Sequence, residues 1–299
     1  MARRKAQPQE TTARQAKLAA LRAQEARKRR QMTIVMGAIG LVLVVIVAFI
    51  IVYASTRSNG SSTPAASSKT AKVVNTVTSI PESVFNQVGT GSVDPKAAPQ
   101  PIPGNHSLTA DGKPKVLYVG AEYCPYCATE RWAVVAALSR FGTFNDLGTT
   151  SSTPNDAFPN TATLSFHGAS YSSKYLSFAG YETQDRQGAP LDKMTPEDQK
   201  VFQTFDAPPY TQGRGSIPFI DFGGKYMIVG ASYDAGVLQG KTHLEIAKAM
   251  HDPNSDIAQG ADAVANQISA RLCTLTGQQP ASVCTSPGVT AAAKAMNGS

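Results

Sequence analysis

The sequence predicts an α/β domain carried behind a single N-terminal transmembrane helix. Three observations lead there. Val116-Leu117-Tyr118-Val119, between Lys115 and Gly120, is a short continuous apolar run of the kind that forms a strand buried on both faces. Phe219-Ile220-Asp221-Phe222 leads through Gly223-Gly224 into a second run ending at Val229, a strong hairpin signal. Far upstream, residues 32–53 contain no charged side chain. At about 1.5 Å per residue that run spans roughly 33 Å, enough for a bilayer core.

Charge is distributed unevenly along the 299 residues. Residues 1–30 hold ten Lys or Arg against Glu10 and Glu25, a net +8, while the whole chain is at +7. The remainder is therefore near neutral, and overall charge argues against nucleic acid as a partner. Residues 1–31 read as a basic cytoplasmic tail, suited to anionic lipid headgroups. RNA binding by so basic a run is the weaker reading. Residues 32–54 read as a signal anchor that inserts in the lipid bilayer of the plasma membrane. A cleaved signal peptide, ending near Ala54, is the competing reading, but the apolar run and its leading tail are long for one. The cation bias keeps the N-terminus in the cytoplasm and puts the rest of this single-pass chain outside, where disulfides are permitted.

Residues 55–72 are Ser/Thr-rich without apolar periodicity and read as a flexible linker. The domain proper is expected over residues 73–285. Pro81 opens a short helix with Glu82 in its first turn, residues 94–103 are Pro-rich and irregular, and Asp111-Gly112 turns the chain into the Val116 strand. Residues 128–141 are good helix formers with hardly a polar face, and Gly142 stands where a C-cap belongs. A loop over 145–160 precedes two alternating runs at 164–167 and 175–178, expected as half-buried strands. Thr195-Pro196-Glu197-Asp198 caps and opens another helix, ending near Phe205. Thr242 and Glu245 form a capping box, and Ile257, Ala261, Val264, Ile268 and Leu272 recur at helical spacing up to Cys273. Residues 286–299 read as a flexible tail.

Chemistry concentrates in Cys124-Pro125-Tyr126-Cys127, which follows the Val116 strand and opens the next helix. A thiol at a helix N-terminus feels the positive end of the dipole, which favours thiolate, and a second thiol one turn on can close a disulfide with it. That suits reversible thiol–disulfide exchange. A purely structural disulfide and half of a zinc site are the alternatives.

A strand running into Cys-Pro-Tyr-Cys at a helix start resembles the thioredoxin-like superfamily, and the anchored, outward-facing context is similar to a microbial branch of membrane-anchored thioredoxin-fold proteins. The resemblance extends over residues 73–284 as an order of elements, and its specific part is the Cys-Pro-Tyr-Cys context. It implies a thioredoxin-like fold with C-terminal helices. It implies Cys124 as nucleophile and Cys127 as resolving thiol, tuned by Pro125 and Tyr126. It also implies a cis-proline at the start of a strand beside the cysteines. Pro218 fits that place, and the backbone of Ile217 would pair with a bound substrate; an ordinary trans-proline at a strand edge is the alternative. Pro218 lies 91 positions after Cys127, farther than in compact thioredoxins, so an insertion over about 143–214 is expected.

Glu122 and Glu130 flank the cysteine pair and are candidates to assist proton transfer at Cys127, or else are solvated carboxylates, with Arg131 as an adjacent charge partner for Glu130. Trp132 reads as core. Cys273 and Cys284 read as a structural disulfide, with a redox relay or a four-cysteine zinc site as competing readings. No cofactor or metal is called for, since the four histidines lack metal-ligand spacing. The expected activity is protein thiol–disulfide oxidoreduction, with protein thiols or disulfides as substrates and a membrane or soluble redox partner. The alternative is a non-catalytic binding or assembly module on the same scaffold, its cysteines locked in disulfides.

Overall fold

The computed structural model describes residues 68–298 apart from 98 and 105. The tail at 1–31, the anchor at 32–54 and the linker up to residue 67 lie outside the described residues. Everything described belongs to one unit, Ala65–Ser299. Among the described residues no helix is long and apolar enough to cross a membrane.

A mixed α/β architecture is built around β3 (Lys113–Gly120). Parallel to it lies β8 (Ser177–Glu182), in a register pairing Val116 with Phe178 and Gly120 with Glu182. On its other side β9 (Phe219–Phe222) runs antiparallel, with Val116 opposite Phe222 and Val119 opposite Phe219. Then come β10 (Tyr226–Val229), antiparallel to β9, and the short β1 (Gln100–Pro101) at the edge. A two-residue strand, β2 (Thr109–Ala110), folds back on the start of β3 through Asp111 and Gly112, both at positive φ.

Alternation along β3 divides the core. Val116 and Tyr118 face one large cluster, together with Ile220, Phe222 and Trp132; Leu117 and Val119 face a smaller one with Phe205 and Phe219. The large cluster is completed by α3 (Pro125–Ser139), which follows β3 directly, and by α6 (Asp256–Leu275) packed against it. The small cluster takes Val201, Phe202 and Phe205 from α4 (Pro196–Phe205). Thr195 caps α4 through the amide of Asp198, and the Thr242–Glu245 capping box opens α5 (His243–Ala249). Both caps satisfy amides that a helix N-terminus leaves without intrahelical partners. The rest of the helical shell is α1 (Ser68–Thr78), α2 (Glu82–Val88), the single turn α7 (Ala281–Cys284) and α8 (Pro287–Asn297).

Several expectations need correction. The insertion is not one block at 143–214, because β8 lies inside that range and is a strand of the central sheet. That range instead holds two stretches outside the central sheet. Before β8 are the paired β5 (Gly148–Ser151) and β6 (Ala162–Ser165), and the paired β4 (Thr143–Asn145) and β7 (Ser170–Ser172). After β8 comes the stretch through α4 to β9. The strand expected at 164–167 is β6, and it is buried throughout rather than half-buried. Its hydroxyls go inside because each has an acceptor: Thr163 Oγ1 donates to Ala128 O (2.7 Å) and Ser165 Oγ to Glu122 (2.6 Å).

Gly142 is not the C-cap of α3. The helix stops at Ser139 with Arg140 at the cap, and Gly142 serves a close approach, since a Cβ there would lie 2.4 Å from Ser172 O. The flexible tail at 286–299 is instead mostly α8, which buries Val289, Ala292 and Met296 against its neighbours. The linker reaching residue 72 gives way to α1 at Ser68, whose Val73 and Val77 join the core. A helix forms in each case because its small and β-branched residues fall on one packed face.

Cys273, inside α6, is bonded to Cys284 in α7. Closing an eleven-residue separation restricts the unfolded chain. Replacing both cysteines with Ser is expected to lower the unfolding free energy by about 2–4 kcal/mol, read as a lower urea midpoint at unchanged slope.

Candidate active site

The β3–α3 junction carries the thiols. Beyond Gly120 the chain turns, with the amide of Cys124 donating to Ala121 O (3.2 Å), and Cys124 becomes the N-cap of α3. Pro125 takes the first helical position, where a missing amide hydrogen does no harm. The cap itself is a sulfur: Cys124 Sγ accepts the backbone N–H of Cys127 at 3.1 Å. Both cysteines are free thiols; Cys124 is 5% exposed and Cys127 fully buried.

Opposite the cap lies the start of β9. The Ile217–Pro218 peptide bond is cis, and Cys124 Sγ sits 3.8 Å from Ile217 O, the reach of a weak S–H···O contact. Beside this pair is a cleft of about 400 Å³ that includes Ile217, Tyr126, Phe158, Gly230 and Tyr233. Tyr126 is one of the few exposed large apolar side chains, and its ring meets Phe158 edge-on at 5.9 Å. Phe158 comes from the loop between β5 and β6, so that loop forms a wall beside the cysteines.

The two thiols are electrostatically unequal. A hydrogen bond from the Cys127 side chain lowers the pKa of Cys124. Burial works against this, and the Cys127 amide, the Arg131 charge and the Tyr126 amide add to it. Burial, then the hydrogen bond to Cys124, pushes Cys127 well above the ordinary thiol range. Cys124 is thus the thiol that ionises first.

Beneath them is a fully buried ion pair. Arg131, one turn beyond Cys127, donates through Nε and Nη2 to the two carboxylate oxygens of Glu182 (2.8 and 2.5 Å), and Nη2 also reaches Ala121 O (2.7 Å). The pair ties helix, sheet and cysteine turn together. Burial disfavours the charge on Arg131, but Glu182, with smaller contributions from Tyr118 and Cys127, raises its pKa overall. Arg131 Nη1 and Tyr118 Oη, both buried, have no hydrogen-bond partner among the described residues.

The predicted carboxylates are placed differently from expectation. Glu130 does not pair with Arg131. Successive helical side chains diverge by about 100°, so Arg131 faces the sheet while Glu130, fully buried, accepts from Ser232 N (2.8 Å) and Ser232 Oγ (3.0 Å). Burial outweighs those bonds and lifts its pKa from 4.5 to about 7. Glu122 accepts from Thr150 Oγ1 (3.1 Å) and Ser165 Oγ (2.6 Å), which fastens the cysteine turn to β5 and β6. Trp132 is core, its Nε1 donating to Ala162 O. Among the described residues no group of three or more His, Cys, Asp or Glu could hold a metal ion.

Sequence reasoning missed Arg131, Glu182, Tyr118 and Phe158 as parts of this site. Arg131 did leave a signal: a lone cation within an otherwise apolar helix needs a buried partner.

A family model described as a domain of unknown function, DUF929, matches residues 103–273. The chain belongs to that family. The matched region runs from before β2 to Cys273 and so includes Cys124, Cys127, Arg131, Glu182 and Pro218. Neither the curated proteins nor the solved structures contain a match to the chain.

Two outcomes follow. Removing one member of a buried ion pair leaves an uncompensated charge, so Arg131→Met is expected to cost about 3–5 kcal/mol in urea unfolding. Arg131→Met combined with Glu182→Leu should recover much of that; a double variant as unstable as the sum of the singles would contradict the pairing. For Glu130 the sign is that of an acid with a raised folded-state pKa. The unfolded chain ionises near 4.5 and the folded chain near 7, so stability falls as pH rises through that window. The interval corresponds to about 3 kcal/mol. Measured from pH 4 to 8, Glu130→Gln should lack that part of the decline, whereas parallel curves would refute the shift.

Proposed function

We propose that this protein is a membrane-tethered, extracytoplasmic thiol–disulfide oxidoreductase with a thioredoxin-like fold, exchanging protein disulfides through Cys124 and Cys127. The observation that carries the reading is the sulfur cap: a thiol at the head of α3, hydrogen-bonded to the amide of a second thiol and facing cis-Pro218 across the Ile217 carbonyl. The order of elements supports it as well. A strand enters the cysteine motif at a helix start; later a cis-proline opens a strand, and a hairpin and helices follow. The tether rests on the uncharged run at residues 32–54 and its cationic flank.

In the reducing direction the Cys124 thiolate attacks one sulfur of a substrate disulfide. A mixed disulfide forms and the other substrate cysteine leaves as thiolate, taking up a proton. Cys127 then loses its proton and attacks Cys124 Sγ. The first substrate cysteine is released, and Cys124 and Cys127 are left joined. Two protein thiols and one substrate disulfide have become one protein disulfide and two substrate thiols. Run backwards, the same steps oxidise a substrate. The thiol inequality serves the first step, since the better-ionised sulfur is the one next to the cleft.

The test is a redox titration of the full chain in nanodiscs across thiol–disulfide buffers, scored by alkylation and peptide mass. Cys124/Cys127 is expected to titrate between about −120 and −270 mV while Cys273–Cys284 remains oxidised. Cys124→Ser should abolish exchange with a model disulfide. If Cys124/Cys127 resists reduction below about −300 mV, or the Ser variant keeps its activity, the assignment fails.

A further inference from the structure

A cavity of about 1160 Å³ lies at the other end of the sheet from the cysteines. The register places it: Lys225 and Tyr226 line it just past Phe222, which pairs with Val116 near the start of β3, whereas the thiols follow Gly120 at the end of that strand. Its walls come from β1 and β10, the last turn of α6 and the end of α8.

Two properties of the lining stand out. Lys96, Lys225 and Arg271 border the cavity, and no Asp or Glu does among the described residues. Tyr226, Leu275 and Met296 supply apolar surface alongside them. Arg271 is held in place: its guanidinium lies 4.6 Å from the centroid of the Tyr226 ring, and Nη1 donates to Asn297 Oδ1 at 3.3 Å. Its Nε is buried without a hydrogen-bond partner among the described residues. The Cys273–Cys284 bond, two residues beyond Arg271, braces the same helical wall.

The Tyr226 ring and Asn297 account for part of the placement of Arg271, but for neither lysine nor for so large a space. Three cations bordering one cavity, with no carboxylate among the described residues of its lining, favour an anionic occupant. An inorganic anion would fill a small part of the volume and would leave the apolar wall wet. The first 67 residues do not complement the charge, with eleven Lys or Arg against two Glu.

We propose that this cavity binds an amphiphilic organic anion, its phosphate or carboxylate head on Arg271, Lys225 and Lys96 and its aliphatic body against Tyr226, Leu275 and Met296. Arg supplies a planar fork for such heads and the lysines supply point charges. The proposal is independent of the redox reading.

The test is calorimetric titration of the full chain in zwitterionic nanodiscs with octyl phosphate and with octanoate, each below its micellar concentration, against empty nanodiscs. Saturable one-to-one binding of at least one of them is expected, weakened at least tenfold in Lys225→Gln and in Arg271→Gln. Far-ultraviolet circular dichroism and the thermal midpoint check folding, and Lys225, in the hairpin turn, is the substitution least able to disturb it. Partitioning no greater than in empty nanodiscs would overturn the proposal, as would affinity unchanged in both variants. So would inorganic phosphate binding as tightly as octyl phosphate, which marks an adventitious ion only.

Discussion

At the head of α3 the capping atom is a sulfur, whereas Thr195, Thr242 and Ser255 cap their helices with hydroxyl oxygens. A neutral thiol is a weak acceptor and a thiolate a strong one. The end of α3 is therefore best satisfied when Cys124 is ionised, and helix stability and thiol ionisation become one equilibrium. The dipole, the Cys127 amide and the Cys127 side chain all act on the same atom. Much of the surrounding architecture keeps that atom in place: the buried Arg131–Glu182 pair under the turn, the Glu122 carboxylate fastened to β5 and β6, and the Ile217 carbonyl in front.

The position of β3 explains why so rigid a setting is available. Strands flank it on both sides and side chains cover both faces, so the residues leading to the thiols have little freedom to move. The helix that follows is buried nearly all round, by α6 and by strand β6, which is why its sequence shows hardly a polar face. Such a helix can carry a charge such as Arg131 only where the sheet offers a counter-charge and a carbonyl.

Features set by neighbours in the chain were legible in the sequence. The Val116 run, the Cys-Pro-Tyr-Cys cap, the Thr195 cap, the Thr242–Glu245 box and the glycine turn after Phe222 each depend on a few consecutive residues, and each is found where it was expected. Features set by distant partners were not legible. Glu182 meets Arg131 across 51 positions, and no local pattern marks it as the counter-charge. β8 was half-read because its residues are only partly buried and Gly180 interrupts its apolar pattern. In α8 the small apolar residues lie on one face, but what that face packs against shows only once α2 and α6 stand beside it. Glu130 misled for a simple reason: adjacency in sequence is not adjacency on a helix.

The bidentate Arg131–Glu182 contact also restricts how this family can change over time. Because both groups are enclosed, either one altered alone strands its partner's charge in the core, and an Arg-to-Lys exchange loses the fork geometry that engages both oxygens. A lineage can leave this arrangement only by passing through an unstable intermediate or by changing two positions, one on a helix and one on a strand, together. Within DUF929 the two positions should therefore drift as a unit, either both retained or both replaced by apolar residues of similar volume. Their joint history is a record of the fold that a single sequence does not contain.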